Sequence, residues 1–223
     1  MTLPNFSNQE LLITALTHRS SLNEHLSSSS ESNERLEFLG DAVLELVTTE
    51  FLYQTLPDLP EGRLTALRSS LVKTTTLATI SRELELGQAL YMSRGEEGTG
   101  GRDNDNLLAD ALEALIGAMY LDQGIPAVTD FLQAHLFPKL TNIMDQQLDR
   151  DPKSTLQEEV QSLGLSTPSY EVIEESGPDH DKYFVVSVLV NGTQVGTGNG
   201  KSKQAAQQDA AAQALQQQLY KTE

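Results

Sequence analysis

The sequence predicts a mainly α chain in two domains: an all-helical one over residues 1–147, then a small α-β-β-β-α module over 151–221. Three observations predict this. Apolar residues recur at three- and four-residue spacing almost throughout the first 147 residues. The polar stretch Asp145 to Pro152 follows, read as a linker near 146–152. Beyond it, residues alternate over Tyr183–Val190 and run into Asn191-Gly192, a strong hairpin signal.

In chain order, helices are expected over Leu11–Leu16, Leu36–Leu52, Leu64–Leu86, Leu107–Leu121 and Val128–Leu148. Breakers separate them: the serines Ser27 to Ser30, then Pro57 to Gly62, Gly95 to Gly101, and Gly124 to Pro126. In the second domain a helix over Ser154–Leu163 is expected to end at Gly164, followed by a strand at Tyr170–Val172 and a turn at Ser176–Asp179. The next strand, Tyr183–Val190, puts Phe184, Val186, Val188 and Val190 on one face. Gln194–Thr197 returns, and a last helix is expected from Ser202 to Leu219, giving helices on one face of an antiparallel sheet.

The chain has 223 residues, 24.4 kDa and no cysteine, which excludes a disulfide scaffold, a thiolate zinc site and a cysteine nucleophile. No run approaches the roughly 18 consecutive apolar residues of a membrane span. Met1 to Ser20 lacks the basic-then-apolar layout of a secretion signal, so no membrane partner and a cytoplasmic location are expected. Fifteen Lys and Arg stand against 32 Asp and Glu, a net charge of −17. That balance argues at first against a nucleic-acid partner. Most of these carboxylates read as a solvated surface, and the question is whether a minority form a site.

Asn33-Glu34-Arg35-Leu36-Glu37-Phe38-Leu39-Gly40-Asp41 decides the reading. At helical spacing Glu34, Glu37 and Asp41 fall within roughly 60° of one another, with no Lys or Arg on that stripe. Leu36, Leu39, Val43, Leu46 and Val47 cover the opposite side. Asp110 and Glu113 stand one turn apart in a nearly all-apolar helix, where unpaired carboxylates are costly unless they hold a metal or share protons. Capping is the competing explanation, with Asp105 or Asn106 able to serve instead. An all-oxygen donor set selects hard cations, Mg²⁺ or Mn²⁺, the usual apparatus of phosphodiester hydrolysis.

The nine-residue signature, with Leu108-Ala-Asp-Ala-Leu-Glu-Ala-Leu-Ile-Gly-Ala118, Ala15-Leu-Thr-His-Arg-Ser20 and Gly100-Gly-Arg102, closely resembles bacterial ribonuclease III across essentially the whole chain. The resemblance implies an Mg²⁺-dependent endoribonuclease for double-stranded RNA, with Mn²⁺ as a substitute. It also implies 5′-phosphate and 3′-hydroxyl products with short 3′ overhangs, and processing of ribosomal RNA precursors and other transcripts. By resemblance Glu37, Asp41, Asp110 and Glu113 are the metal ligands, Asp41 and Glu113 being closest to catalysis. Glu34 and Glu61 match supporting acids at the edge of the cleft. The family acts as a homodimer, and Phe38 resembles its aromatic knob into the partner subunit, with an ordinary core contact as the alternative. His18 invites a general-base reading, but no nucleophile motif accompanies it and a structural, hydrogen-bonded role is expected.

The second domain resembles a double-stranded-RNA-binding domain, which reads duplex shape through 2′-hydroxyl and phosphate contacts. Thr155, Gln157 and Glu158 in the first helix, His180 in the loop Gly177-Pro178-Asp179-His180, and Lys201 and Lys203 at the start of the last helix are the expected RNA contacts. Such domains usually carry adjacent basic residues here. This chain has Gln204 after Lys203 and Gln207 a turn later, so weaker RNA binding than the family norm is expected. A catalytically retired relative is the rival reading, and the presence of all four ligand acids argues against it.

Overall fold

The computed structural model describes residues 4–24, 28–145, 152–178 and 182–221. The chain divides into two compact units, Met1–Asp149 and Arg150–Glu223.

The first unit is helical: α1 (Gln9–Ala15), α2 (Glu34–Thr55), α3 (Glu61–Val72), α4 (Thr74–Glu83), α5 (Leu86–Ala89), α6 (Arg94–Gly98), α7 (Asp105–His135) and α8 (Lys139–Asp145). Its core is built around α2 and α7. Leu44 and Leu52 of α2 and Leu108, Leu112, Leu115 and Ile116 of α7 are completely buried. The single helix expected over Leu64–Leu86 is three. Lys73 is extended (φ −64, ψ 149) between α3 and α4, and Glu85 is left-handed (φ 58) before α5. The threonines after Lys73 explain the first break, since hydroxyl residues compete for backbone groups. Thr76 donates its hydroxyl to the Ser70 carbonyl at 3.0 Å, satisfying the end of α3 while α4 begins. At the expected breaker Gly124 (φ 77, ψ −175) the backbone leaves the helix, so α7 is two helical stretches meeting at a kink, and Pro126 falls at the start of the second, where a missing N–H costs nothing. The helix expected over Val128–Leu148 is therefore the end of α7 plus α8, and 146–148 lie outside the described residues.

The second unit packs α9 (Pro152–Ser162) and α10 (Lys203–Gln217) with an antiparallel sheet of β1 (Ser169–Ser176), β2 (Tyr183–Val190) and β3 (Thr193–Gly200), in that order. Phe184, Val186, Val188 and Val190 are buried, and Asn191 and Gly192 both take positive φ (51° and 78°) in a two-residue hairpin. β1 is longer than expected because its pairing slips between Val172 and Glu174, a bulge that breaks the alternation at Val172-Ile173. β3 lies close to α10. A Cβ on Gly198 would stand 1.9 Å from the backbone nitrogen of Ala210, and Ala206, Ala210, Ala211 and Ala214 are fully buried against the sheet. Among the described residues no helix is long and apolar enough to cross a membrane.

Candidate active site

Two glycines set the distance between α2 and α7. A Cβ on Gly40 would stand 1.7 Å from the Glu113 carbonyl oxygen, and one on Gly117 would stand 2.2 Å from that of Leu36. Only hydrogen at both positions allows the backbones to approach this far. The crossing places Glu37 of α2 beside Asp110 and Glu113 of α7. Each offers a carboxylate oxygen within 4.8 Å of the other two, and all three are half-buried. Among the described residues no lysine or arginine forms an ion pair with them.

That arrangement perturbs the acids. Burial, then the charges of Asp41, Asp110 and Glu37, push the Glu113 carboxyl up to about 8. Burial and the neighbouring charges of Asp110, Glu34 and Asp41 raise Glu37 as well. Asp110 is raised by burial, partly offset by His18. Asp41 is exposed and lies outside the close group of three, yet its charge acts on both Glu37 and Glu113. Neither Asp105 nor Asn106 caps α7. The Asn104 side chain does, accepting from the N–H of Asn106 (2.9 Å) and Leu107 (3.3 Å), so Asp110 and Glu113 are not needed there. Three oxygen donors converging, with no lysine or arginine ion pair among the described residues, fit a hard divalent cation.

The other expected site residues divide. Glu34 is not unpaired: Arg19, from the turn Arg19–Glu24, reaches it at 3.5 Å and the Ser32 hydroxyl donates to it at 2.8 Å. Glu61 opens α3, exposed, and accepts from the Thr65 hydroxyl at 3.2 Å; it is not in the group of three. Phe38 is 82% exposed, which excludes a core contact. Leu46 does not belong to the buried side of α2: it is 59% exposed, and Tyr53 is 73% exposed on the same helix. His18 accepts at Nδ1 from the Ser20 N–H (3.3 Å) and pairs there with the Ser20 hydroxyl (2.8 Å).

In the second unit Gln157 and Glu158 are exposed on α9, with Thr155 half-buried on the same helix. Lys201 and Lys203 are exposed at the start of α10, where the Ser202 hydroxyl accepts from the Ala205 N–H at 3.1 Å. Lys203 Nζ stands 5.6 Å over the Phe184 ring. His180, with Asp179, lies outside the described residues.

Sequence reasoning missed four contributors. Gly40 and Gly117 carried a signal, each a glycine inside an otherwise helical pattern. Arg102 donates to the Gly87 and Leu90 carbonyls (2.7 and 3.0 Å) and to Glu97 (2.7 Å), tying the turn Gly101–Asp103 to α5. Lys153 donates to the Gln207 side chain at 2.7 Å and lies 4.9 Å over the Tyr170 ring, bringing a cation from α9 to the glutamine-bearing turn of α10. Arg102 stands in the Gly100-Gly-Arg102 motif, but the partners of neither cation can be read from the local sequence.

Residues 8–140 match the family model described as Ribonuclease-III-like, and residues 152–218 match the double-stranded RNA binding motif. The chain is 49% identical over 205 residues to ribonuclease 3 of Pelotomaculum thermopropionicum, covering 92% of this chain and 85% of that protein. It is 48% identical over 211 residues to ribonuclease 3 of Geobacillus kaustophilus, covering 95% and 85%. Among solved structures it is similar to the nuclease domain of ribonuclease III from Campylobacter jejuni, with 44% identity, a TM-score of 0.55, and coverage of 60% of this chain and 92% of that one.

Proposed function

The chain belongs to the ribonuclease III family, nucleases that act on double-stranded RNA, and from that premise we propose that it cuts duplex RNA at the acid cluster of α2 and α7 with Mg²⁺ as cofactor, Mn²⁺ serving in its place. The single observation that carries this reading is the convergence of Glu37, Asp110 and Glu113 within 4.8 Å with no lysine or arginine ion pair among the described residues. When bound, the cation supplies charge neutralisation and an acidified water for phosphodiester hydrolysis.

The protein's own residues hold the cation and aim the site. Glu37 and Asp110 contribute oxygens from facing helices, and Glu113, the most strongly raised acid, gives up its proton to do so. Asp41, exposed beside them, would complete the donor set, and it and Glu113 would be the acids most directly tied to the catalytic step. Glu34, held by Arg19 and Ser32, supports Glu37 from the neighbouring turn. Glu61 meets RNA at the rim of the cleft. The products are 5′-phosphate and 3′-hydroxyl ends with short 3′ overhangs, from cytoplasmic precursors of ribosomal and other RNAs.

Two further parts complete the reading. Phe38, with Leu46 and Tyr53, is the apolar face through which two copies pair. The Campylobacter jejuni nuclease domain has a region involved in dimer formation, which supports this. In the second unit Thr155, Gln157, Glu158, His180, Lys201 and Lys203 contact the duplex. The test is incubation of the full chain with a perfect RNA duplex, with Mg²⁺ or with a chelator, reading product ends on a gel. Mg²⁺-dependent fragments with 5′-phosphates are expected. Intact duplex under both conditions overturns the proposal. Sedimentation of Phe38→Asp tests the pairing: a shift to monomer is expected, and an unchanged dimer contradicts it.

A further inference from the structure

Asn33, the first residue of the acid signature, does not behave as an asparagine at a helix start usually does. Such residues take extended backbone and cap the helix with the side chain. Asn33 lies in the right-handed helical region (φ −72, ψ −9) and its side chain makes no cap. Its backbone is fully used: its N–H donates to the Thr17 carbonyl and its carbonyl accepts from the Glu37 N–H, both at 2.8 Å. The residue is only 4% exposed, and among the described residues its amide has no hydrogen-bond partner. The amide atoms are not sealed from water, so the side chain is open to a ligand where Asn33 borders a cavity.

The amide borders a cavity of about 260 Å³ whose wall also includes His18, Arg19, Glu34, Glu37 and Asp110. Ser20 Oγ accepts from the Ser93 N–H at 3.0 Å, which leaves its hydroxyl hydrogen for His18 Nδ1. With Nδ1 accepting, Nε2 carries a ring hydrogen and is a donor with no hydrogen-bond partner among the described residues. Two unused donor groups and two of the three clustered acids, Glu37 and Asp110, thus share one small cavity.

We propose that this cavity seats a ribose 2′-hydroxyl of the RNA strand beside the scissile phosphate, with Asn33 as the specificity-determining residue that binds it; the inference rests on the nuclease reading above. Three carboxylates face the cavity against a single arginine already paired with Glu34, an environment that repels an anion. A neutral hydroxyl suits it, donating to the Asn33 amide oxygen and accepting from His18 Nε2–H. In a duplex the bases are paired, and the 2′-hydroxyl is the polar group that separates RNA from DNA. Because Glu37 and Asp110 belong both to this wall and to the acid cluster, a hydroxyl seated here lies next to the chemistry.

The test compares single-turnover cleavage of an all-ribose duplex with one whose nucleotides flanking the cut carry 2′-fluorine, which keeps the A-form but cannot donate. The native protein is expected to lose about 3- to 10-fold on the fluorinated duplex, the size of one hydrogen bond. Asn33→Ala should fall by a similar factor on the ribose duplex and become indifferent to fluorine. Asn33→Ser, which keeps a donor and acceptor, should lie between. Indifference of the native protein to fluorine overturns the proposal, as do independent, multiplying losses in the variant. Should Asn33→Ala fail to fold, judged by metal-free melting, the native comparison and Asn33→Ser decide. A native protein that cuts neither duplex defeats the nuclease reading instead.

Discussion

Both units use glycine to remove a Cβ at their tightest contact, and they put the proximity to opposite uses. Between β3 and α10, Gly198 lets the sheet settle on a row of buried alanines, while Lys201 and Lys203 stand outside in solvent. There cohesion and function are spatially separate. Between α2 and α7, Gly40 and Gly117 close an apolar core and at the same stroke press Glu37 against Asp110 and Glu113. The first unit's core thus tolerates a repulsive cluster at its margin, and its stability and its chemistry are coupled. The second unit can tune its surface at little cost to its fold.

The largest effect belongs to the glycines. Gly40→Ala should cost the first unit about 3 kcal/mol, because the obstructing atom is backbone and cannot move aside. Cleavage should vanish with it. Gly198→Ala should cost its own unit a comparable amount. Calorimetry of the full chain checks whether each variant lowers only its own unit's transition; a common shift breaks the comparison.

Asp110→Asn comes next. It should abolish cleavage and leave metal-free stability unchanged or improved by about 1 kcal/mol at most, the partial exposure of the site reducing the gain. A large loss of stability would make Asp110 structural.

The pH dependence is smaller and carries a definite sign. Glu113 is raised from 4.5 to about 8, so between those values the metal-free folded state keeps a proton the unfolded chain has shed. Its stabilising contribution is complete below 4.5 and is lost as the pH climbs through 8. Glu37 and Asp110 are raised and act in the same direction. Glu97 beside Arg102, Asp122 under the Ser7 N–H and Glu175 beside Lys182 are lowered, and their opposite effect falls on the acid side. Metal-free melting temperature should therefore decline from pH 5 to 8, and Glu113→Gln should flatten the decline.

Gln204→Lys should have the mildest effect. Duplex binding should tighten a few-fold at moderate salt and the salt slope should steepen by about one, with no change in melting. Unchanged affinity would mean that Lys153, held at Gln207, already supplies the missing charge.

The two units also differed in how legible they were. Period-two alternation and Asn191-Gly192 placed β2 and its hairpin closely, because both are local signals. β1 was underread because a bulge shifts its register at Val172, a feature that pairing decides. In the first unit helical spacing located α2 and α7, but not the break at Lys73, where threonine hydroxyls compete for the backbone. For the candidate site, the sequence showed which acids share a stripe. It did not show that Arg19 reaches Glu34 from another element, that Asp41 stays exposed, or that Asn33 declines to cap. Each depends on the α2–α7 crossing or on chain from outside both helices.

The most direct measurement is the number of protons released when Mg²⁺ binds at pH 7, obtained by titration calorimetry in buffers of different ionisation enthalpy. With Glu113 raised to about 8, binding should expel about one proton in the native protein and almost none in Glu113→Gln. Magnesium binding that releases no proton, or the same number from both proteins, would contradict a cation gripped between α2 and α7.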